Sequence, residues 1–255
     1  MKLNYKISGA GAPLIILHGL FGTLENWGGQ VAVLNQSFQV INVDLRNHGR
    51  SPHSNIMNYQ VMADDIIELL DELEIPAASI IGHSMGGKVA MQIALQYPDR
   101  VHKLVVVDIS PVSYPTTHHD EIFKGLTAIN LETLNSRTAA NEILQAYVTD
   151  PDIRSFLLKN LYRNEDKAFK WRPNLSILEQ EYTQLSCAPI SKQAAFENAT
   201  LFIKGKNSDY MLKEHQEIID ALFESVQFKM IEGAGHWPHA EKPKVFSAII
   251  HKFLS

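Results

Sequence analysis

Gly82-His83-Ser84-Met85-Gly86 fits the pattern G-x-S-x-G. A serine so placed attacks an acyl carbonyl if a sharp strand-to-helix turn exposes its hydroxyl and a base takes its proton. Glycines two residues to either side leave room where side chains would collide with the adjoining elements. The flanking sequence predicts the turn: the run Ser79-Ile80-Ile81 reads as a buried strand, and Met85 to Tyr97 reads as a helix ended by Pro98. That helix would aim its positive end at Ser84. A chance match in a loop would lack both elements. Gly82 to Lys88 also satisfies G-x-x-x-x-G-K, most of a phosphate-binding loop. Val89, however, stands where that loop needs Ser or Thr, and the match follows the third predicted strand rather than the first.

A nucleophilic serine needs a base, and eleven histidines leave composition silent on which. Position selects His236. Gly233-Ala234-Gly235-His236-Trp237 follows the last predicted strand and precedes the last helix, so a glycine-rich loop can fold an imidazole back over the strand ends. His239 would lie at the helix start, pointing elsewhere. The base in turn needs a carboxylate. Asp108, at the carboxyl end of the strand after the serine, is favoured, with Ser208 as a second hydrogen-bond partner of His236. Asp209, in Gly205-Lys206-Asn207-Ser208-Asp209, is the open alternative. Backbone amides must also meet the developing oxyanion. Met85 N–H follows the nucleophile, and Leu20 N–H sits in the turn His18-Gly19-Leu20-Phe21-Gly22, which His18 is expected to order. Asp44 and Arg46 are expected to pair and brace the loops. His118, His119, Asp120 and Glu121 read as a solvated helix start rather than a metal site. The chemistry calls for no metal and no cofactor.

The elements that would position these groups alternate. Leu14–Leu17, Val40–Val43, Ser79–Ile81 and Leu104–Val107 are apolar runs of the kind covered on both faces in a parallel sheet. Asn58 to Leu73 has a helical apolar period, with Asp64, Asp65, Glu68 and Asp71 expected outward. From about Pro111 to Pro189 no strand run is visible. Amphipathic pieces such as Thr138–Val148 and Asp152–Tyr162 predict a helical insertion instead. Alternation resumes with Thr200–Ile203, a helix over Met211–Phe223, the strand Val226–Ile231 and a helix over Lys242–Leu254. The fold class is α/β, a doubly wound sheet.

Composition excludes several function classes. The 255 residues suit one large domain or one domain with an insertion, and 45% hydrophobic with 20% charged residues excludes general disorder. A net charge of −5 leaves no basic excess for nucleic acid. Cys187 is the lone cysteine, so no internal disulfide forms, which suits a reducing compartment. No apolar stretch follows Lys2 and Lys6, and no run is long enough to cross a bilayer, so a cytoplasmic protein is expected.

The segments His18–Gly22, Asp44–Ser51, Gly82–Gly87, Asp108-Ile109-Ser110-Pro111-Val112 and Gly233–Pro243 occur in an order that resembles the α/β-hydrolase superfamily across nearly the whole chain. Within it they resemble a group of bacterial serine esterases. G-x-S-x-G marks only the superfamily; the segments 108–112 and 205–210 are narrower. The resemblance implies an α/β-hydrolase fold, with a mostly parallel central sheet, helices on both faces and an inserted helical cap. The core would span residues 1–112 and 196–255, and the cap 113–195. It implies Ser84, Asp108 and His236 as a triad, Ser208 as an extra contact to His236, and the Leu20 and Met85 amides as the oxyanion hole. Small acyl esters or acyl-CoA thioesters with short acyl chains are the implied substrates. Asp209 departs from the relatives, which can carry an uncharged residue there. The same scaffold also hosts C–C bond hydrolases, haloperoxidase-like enzymes and non-enzymatic binding modules. A complete Ser–Asp–His set argues against the last of these.

Overall fold

In the computed structural model, which describes residues 1–190 and 195–255, the predicted apolar runs become the centre of one seven-stranded sheet. Chain order is β1 (Asn4–Ser8), β2 (Ala12–Leu17), α1 (Gly28–Leu34), β3 (Phe38–Asp44), α2 (Tyr59–Glu72), β4 (Ala78–His83), α3 (Met85–Gln96) and β5 (Val101–Val107). Between β5 and the next sheet strand come α4 (Asp120–Thr127), α5 (Arg137–Gln145), α6 (Pro151–Leu158), the short strands β6 (Leu161–Arg163) and β7 (Phe169–Trp171), α7 (Leu175–Gln180) and α8 (Tyr182–Ser186). The chain ends with β8 (Thr200–Gly205), α9 (Gln216–Leu222), β9 (Val226–Ile231), α10 (Pro238–Glu241) and α11 (Pro243–Leu254). The strand order is β1-β3-β2-β4-β5-β8-β9; only β1 runs antiparallel to its neighbour.

Side-chain alternation along each strand builds two cores. Ile15, Leu17, Ile80, Leu104 and Val106 face α2 and α3, whereas Leu14, Ile16, Ile81, Val105 and Val107 face Trp27, Leu34 and the α11 residues Phe246 and Ile250. All ten strand side chains are fully buried, each worth roughly 1.5–3 kcal/mol over exposure. Coverage on both faces is why these strands are continuous apolar runs. Asn58 caps α2 by accepting from the Val61 amide at 3.0 Å.

Four expectations need correction. The insertion is not purely helical: Leu161–Arg163 pairs antiparallel with Phe169–Trp171. Asp152–Tyr162 is therefore a helix ending at Leu158 followed by a strand, too short for any periodicity to show. Asp65 is not outward but 3% exposed. Arg46 pairs with it rather than with Asp44, donating from Nε at 2.6 Å and Nη2 at 2.8 Å. Asp44, at the end of β3, instead accepts from the Leu24 and Arg50 amides at 2.7 and 2.9 Å and from Asn4 Nδ2 at 2.7 Å. The helix expected from Met211 starts later, with one 3-10 turn at Lys213–His215 before α9. The insertion's expected join to the core at 195/196 abuts residues 191–194, which lie outside the described residues.

The inserted segment is tied to the sheet domain by apolar packing and by directed bonds. Phe123, Leu144, Leu157 and Tyr182 share one cluster with the α2–α3 face. Asn160 Nδ2 donates to the Phe21 carbonyl at 2.7 Å, and Tyr59 Oη to the Leu185 carbonyl at 2.5 Å. Lys88, on α3, is 1% exposed. Its Nζ donates to the carbonyls of Ser186 and Cys187 at 3.1 and 2.6 Å and lies 4.7 Å from the Tyr114 ring centre. Burial pushes this ammonium down to about 7. The lysine of the phosphate-loop pattern thus ends among carbonyls and aromatic rings, committed to holding the insertion.

Candidate active site

Ser84 sits between β4 and α3 with φ 52° and ψ −119°, a left-handed backbone that non-glycine residues rarely adopt. The turn is tight enough that a Cβ on Gly82 would lie 2.1 Å from the Gly86 carbonyl oxygen. A Cβ on Gly86 would lie 2.5 Å from the His18 carbonyl oxygen. These contacts are the reason for both glycines of the motif. α3 begins at Met85, so its first-turn amides and positive end face the serine.

The Gly19–Phe21 turn lies against Ser84, since a Cβ on Gly19 would be 3.2 Å from Ser84 Cβ. His18 orders this turn as expected: Nδ1 donates to the Gly19 carbonyl at 2.8 Å, and Nε2 accepts the Leu45 amide at 3.0 Å. His48 repeats the device, with Nδ1 donating to the Arg46 carbonyl at 3.0 Å and Nε2 accepting the Phe21 amide at 3.2 Å. The Leu20 and Met85 amides have no hydrogen-bond partner among the described residues.

Asp108 follows β5 with φ 53° and is fully buried. Its Oδ2 meets His236 Nδ1 at 2.7 Å and also accepts a short bond from Ser208 Oγ; Oδ1 accepts the Gly205 amide at 2.9 Å. Ser208 therefore bonds to the carboxylate and not to His236 itself, because it enters beside the acid from the end of β8. Asp209 is exposed, one place too far along the turn to face inward. Burial pushes the Asp108 carboxyl up from its usual range, against the opposing pull of Ser208 and Gly205. Burial, with His118 nearby, pushes the His236 imidazole down. A neutral imidazole with Nδ1–H on Asp108 carries its lone pair on Nε2, which has no protein partner among the described residues. Ser84 Oγ likewise has none; the two groups line one cavity of about 620 Å³ without a hydrogen bond between them. Side chains that act together in catalysis often tighten only around substrate.

Other residues around His236 were not visible in the sequence. Tyr210 stacks on its ring, 3.9 Å between centres, and Tyr210 Oη bonds to His118 Nε2 at 2.6 Å. His119 Nδ1 bonds to Tyr182 Oη. His118 and His119 stand at the start of α4, as expected, and both also line the cavity. His239 begins α10 as expected, where it stacks on Trp27 at 4.3 Å. The place of Tyr210, two residues after the Ser208 slot, was the one available signal; nothing in the spacing pointed to His118.

Comparison with known proteins adds to the geometry. Residues 12–243 match a family described as alpha/beta hydrolase fold. The chain is 37% identical to the esterase YbfF of Escherichia coli over 260 residues, with 100% of both chains covered. It is 39% identical to the sn-1-specific diacylglycerol lipase ABHD11 of Xenopus tropicalis over 257 residues, covering 98% of this chain and 80% of the relative. A solved marine microorganism esterase superposes with a TM-score of 0.96 at 37% identity, covering 99% of each chain.

Proposed function

The chain belongs to the alpha/beta hydrolase family, among esterases and lipases, and on that premise we propose that it is a serine carboxylic-ester hydrolase acting through an acyl-enzyme on short-chain acyl esters or acyl-CoA thioesters. Ser84 Oγ attacks the acyl carbonyl while His236 Nε2 takes its proton. Asp108 holds Nδ1–H and stabilises the imidazolium. The oxyanion rests on the Leu20 and Met85 amides. His236 returns the proton to the leaving alcohol or thiol, then activates the water that frees the acid. The observation that carries this reading is the single carboxylate, Asp108, that fixes His236 through Nδ1 at 2.7 Å and leaves Nε2 for the serine.

Room on the two sides of Ser84 supports a short acyl group. One small recess of about 40 Å³, lined by Ser84, Met85, Lys88, Tyr114 and Tyr182 among others, is assigned to the acyl chain. The large cavity suits the leaving group. Residues 113–195 act as the cap over a core of 1–112 and 196–255. Among the described residues no helix is long and apolar enough to cross a membrane; with its single, exposed thiol at Cys187, the protein works in the cytoplasm on a small-molecule substrate. A fluorophosphonate should leave its adduct, by mass, on the peptide containing Ser84, and Ser84→Ala should abolish turnover of p-nitrophenyl butyrate while the fold survives. Retained turnover would overturn the assignment.

A further inference from the structure

A second cavity of about 460 Å³ adjoins the first, sharing Glu25, Asn26, Phe156 and Lys159 with it. Its walls come from both the sheet domain and the cap, and they carry Lys6, Arg50, Arg137, Lys159 and Arg172. Two acids, Asp44 and Glu25, face these five cations, which leaves an excess of three positive charges. Asp44 keeps its charge but is held at the wall by neutral donors, the Leu24 and Arg50 amides and the Asn4 side chain. Glu25 reaches only Arg50, at 4.0 Å between two exposed side chains. Lys6, Arg137, Lys159 and Arg172 have no carboxylate partner among the described residues. The chain as a whole carries −5, so this concentration is local. Arg172 is also held in place: its guanidinium lies 4.5 Å from the Tyr162 ring centre, a fixed planar fork suited to phosphate. Tyr162 lies on β6, and Arg172 directly follows β7.

We propose that this cavity is an anion subsite that takes the phosphate of a substrate's leaving group, while the ester or thioester carbonyl sits at Ser84. The inference rests on the reading of Ser84 as the acyl-accepting nucleophile and deepens it by naming the leaving-group chemistry. The recess beyond Ser84 holds only a short acyl chain, so a long, phosphate-bearing leaving group extends the other way, through the large cavity, past Phe156 and Lys159, to the cations. A phosphopantetheine-type thiol and a glycerophosphate share this chemistry.

The test compares substrates that differ only in phosphate. Wild type should prefer butyryl-CoA over butyryl-pantetheine in kcat/KM by about tenfold or more, or dibutyryl-glycerol-3-phosphate over dibutyryl-glycerol by the same margin. The pair that shows the preference names the source. Lys6→Glu with Arg50→Glu, and separately Lys159→Gln on the cap side, should collapse that ratio toward one, and added salt should do the same in wild type. Binding of free CoA, followed by titration calorimetry in wild type and the double variant, reads the subsite without turnover. Equal handling of both members of each pair, or a ratio untouched by the variants, overturns the subsite while p-nitrophenyl butyrate is still hydrolysed. CoA bound tightly by wild type and weakly by the double variant, with no ester turnover, keeps the subsite and overturns the hydrolase reading instead.

Discussion

His83 Nε2 donates to the backbone carbonyl of His236 at 2.7 Å, so the residue next to Ser84 holds the loop that carries His236, the base of the proposed mechanism. The two rings lie 4.7 Å apart. Burial, with His236 close by, keeps His83 well below the usual histidine range, hence neutral and able to donate only from the nitrogen that carries its proton. His83→Phe retains the ring and removes the bond. It should lower kcat on p-nitrophenyl butyrate by about 10- to 100-fold through misplacement of His236, with a smaller change in KM. His83→Gln, which can donate from its amide, should recover part of the loss. Equal kcat in wild type and His83→Phe would show that the loop is positioned without it.

The acid can be identified by a three-variant series. Asp108→Asn keeps the shape but presents an amide to Nδ1 and should cost about 10³- to 10⁴-fold in kcat. Ser208→Ala removes a donor to Oδ2, a bond to a charged group worth about 1.5–3 kcal/mol, and should cost about 10- to 150-fold in kcat. It should also raise the acid limb of kcat, since the carboxylate loses support. Asp209→Asn should change kcat by less than about twofold, as expected of a surface position. Inactivity of Asp209→Asn alone would reverse the assignment.

Much of the fold and of the proposed site is legible in the sequence. Ser84 and His236 are announced by local patterns, a strand–glycine–helix junction and a glycine-rich loop between the last strand and helix. Asp108 was favoured but not decided, because two loops at the same sheet edge offered an acid; only the inward turn of Ser208 and outward turn of Asp209 separate them. What stayed hidden depends on contacts distant in sequence. Arg46 chose Asp65 over Asp44 because α2 brings a buried carboxylate to its guanidinium. β1, Asn4–Ser8, is a polar edge strand without an apolar run. Tyr210 reaches His236 because the loops after the neighbouring strands β8 and β9 lie side by side, the Asn207 amide donating to the Ala234 carbonyl at 2.9 Å.

Acid should affect activity and stability at different points. Burial holds His236 below its ordinary range, and the neutral form is the one that acts as base in the proposed mechanism. The acid limb of kcat/KM should therefore lie below the ordinary histidine value of about 6.5, measured in assays short enough to precede unfolding. A limb at or above 6.5 would contradict the burial argument.

The same burial makes the fold acid-sensitive. His18 and His48 are depressed by burial, His48 to about 3, and each uses Nε2 as an acceptor for a loop amide. The unfolded chain takes up these protons near pH 6.5 and the folded chain only far lower, so their contribution is complete above about 6.5 and lost as pH falls toward the folded values. Unfolding free energy should drop by about 1.4 kcal/mol per pH unit for each such histidine. Urea midpoints at pH 7, 6 and 5 should show the decline, and His48→Gln should flatten it; a constant midpoint would sink the idea.

The Arg46–Asp65 pair allows a sharper stability test. Its side chains are 9% and 4% exposed, and Arg46 Nη1 also donates to the Ile56 carbonyl at 2.8 Å. Asp65→Ala strands a buried guanidinium, which should cost about 3–5 kcal/mol by urea unfolding. Arg46→Met with Asp65→Leu removes both charges and fills the space with apolar atoms. It should cost distinctly less than Asp65→Ala, because desolvation of two ions is no longer required; the Ile56 and Val61 carbonyls lose their donor, and the Met1 ammonium loses an acceptor at 3.0 Å that Asp65→Ala removes as well. Neither residue lines the cavity of Ser84, so kcat per folded molecule should stay within about twofold. If the double variant were the less stable of the two, the pair would be contributing more than the avoidance of an unpaired charge, and the low value assigned to buried ion pairs would not hold at this position.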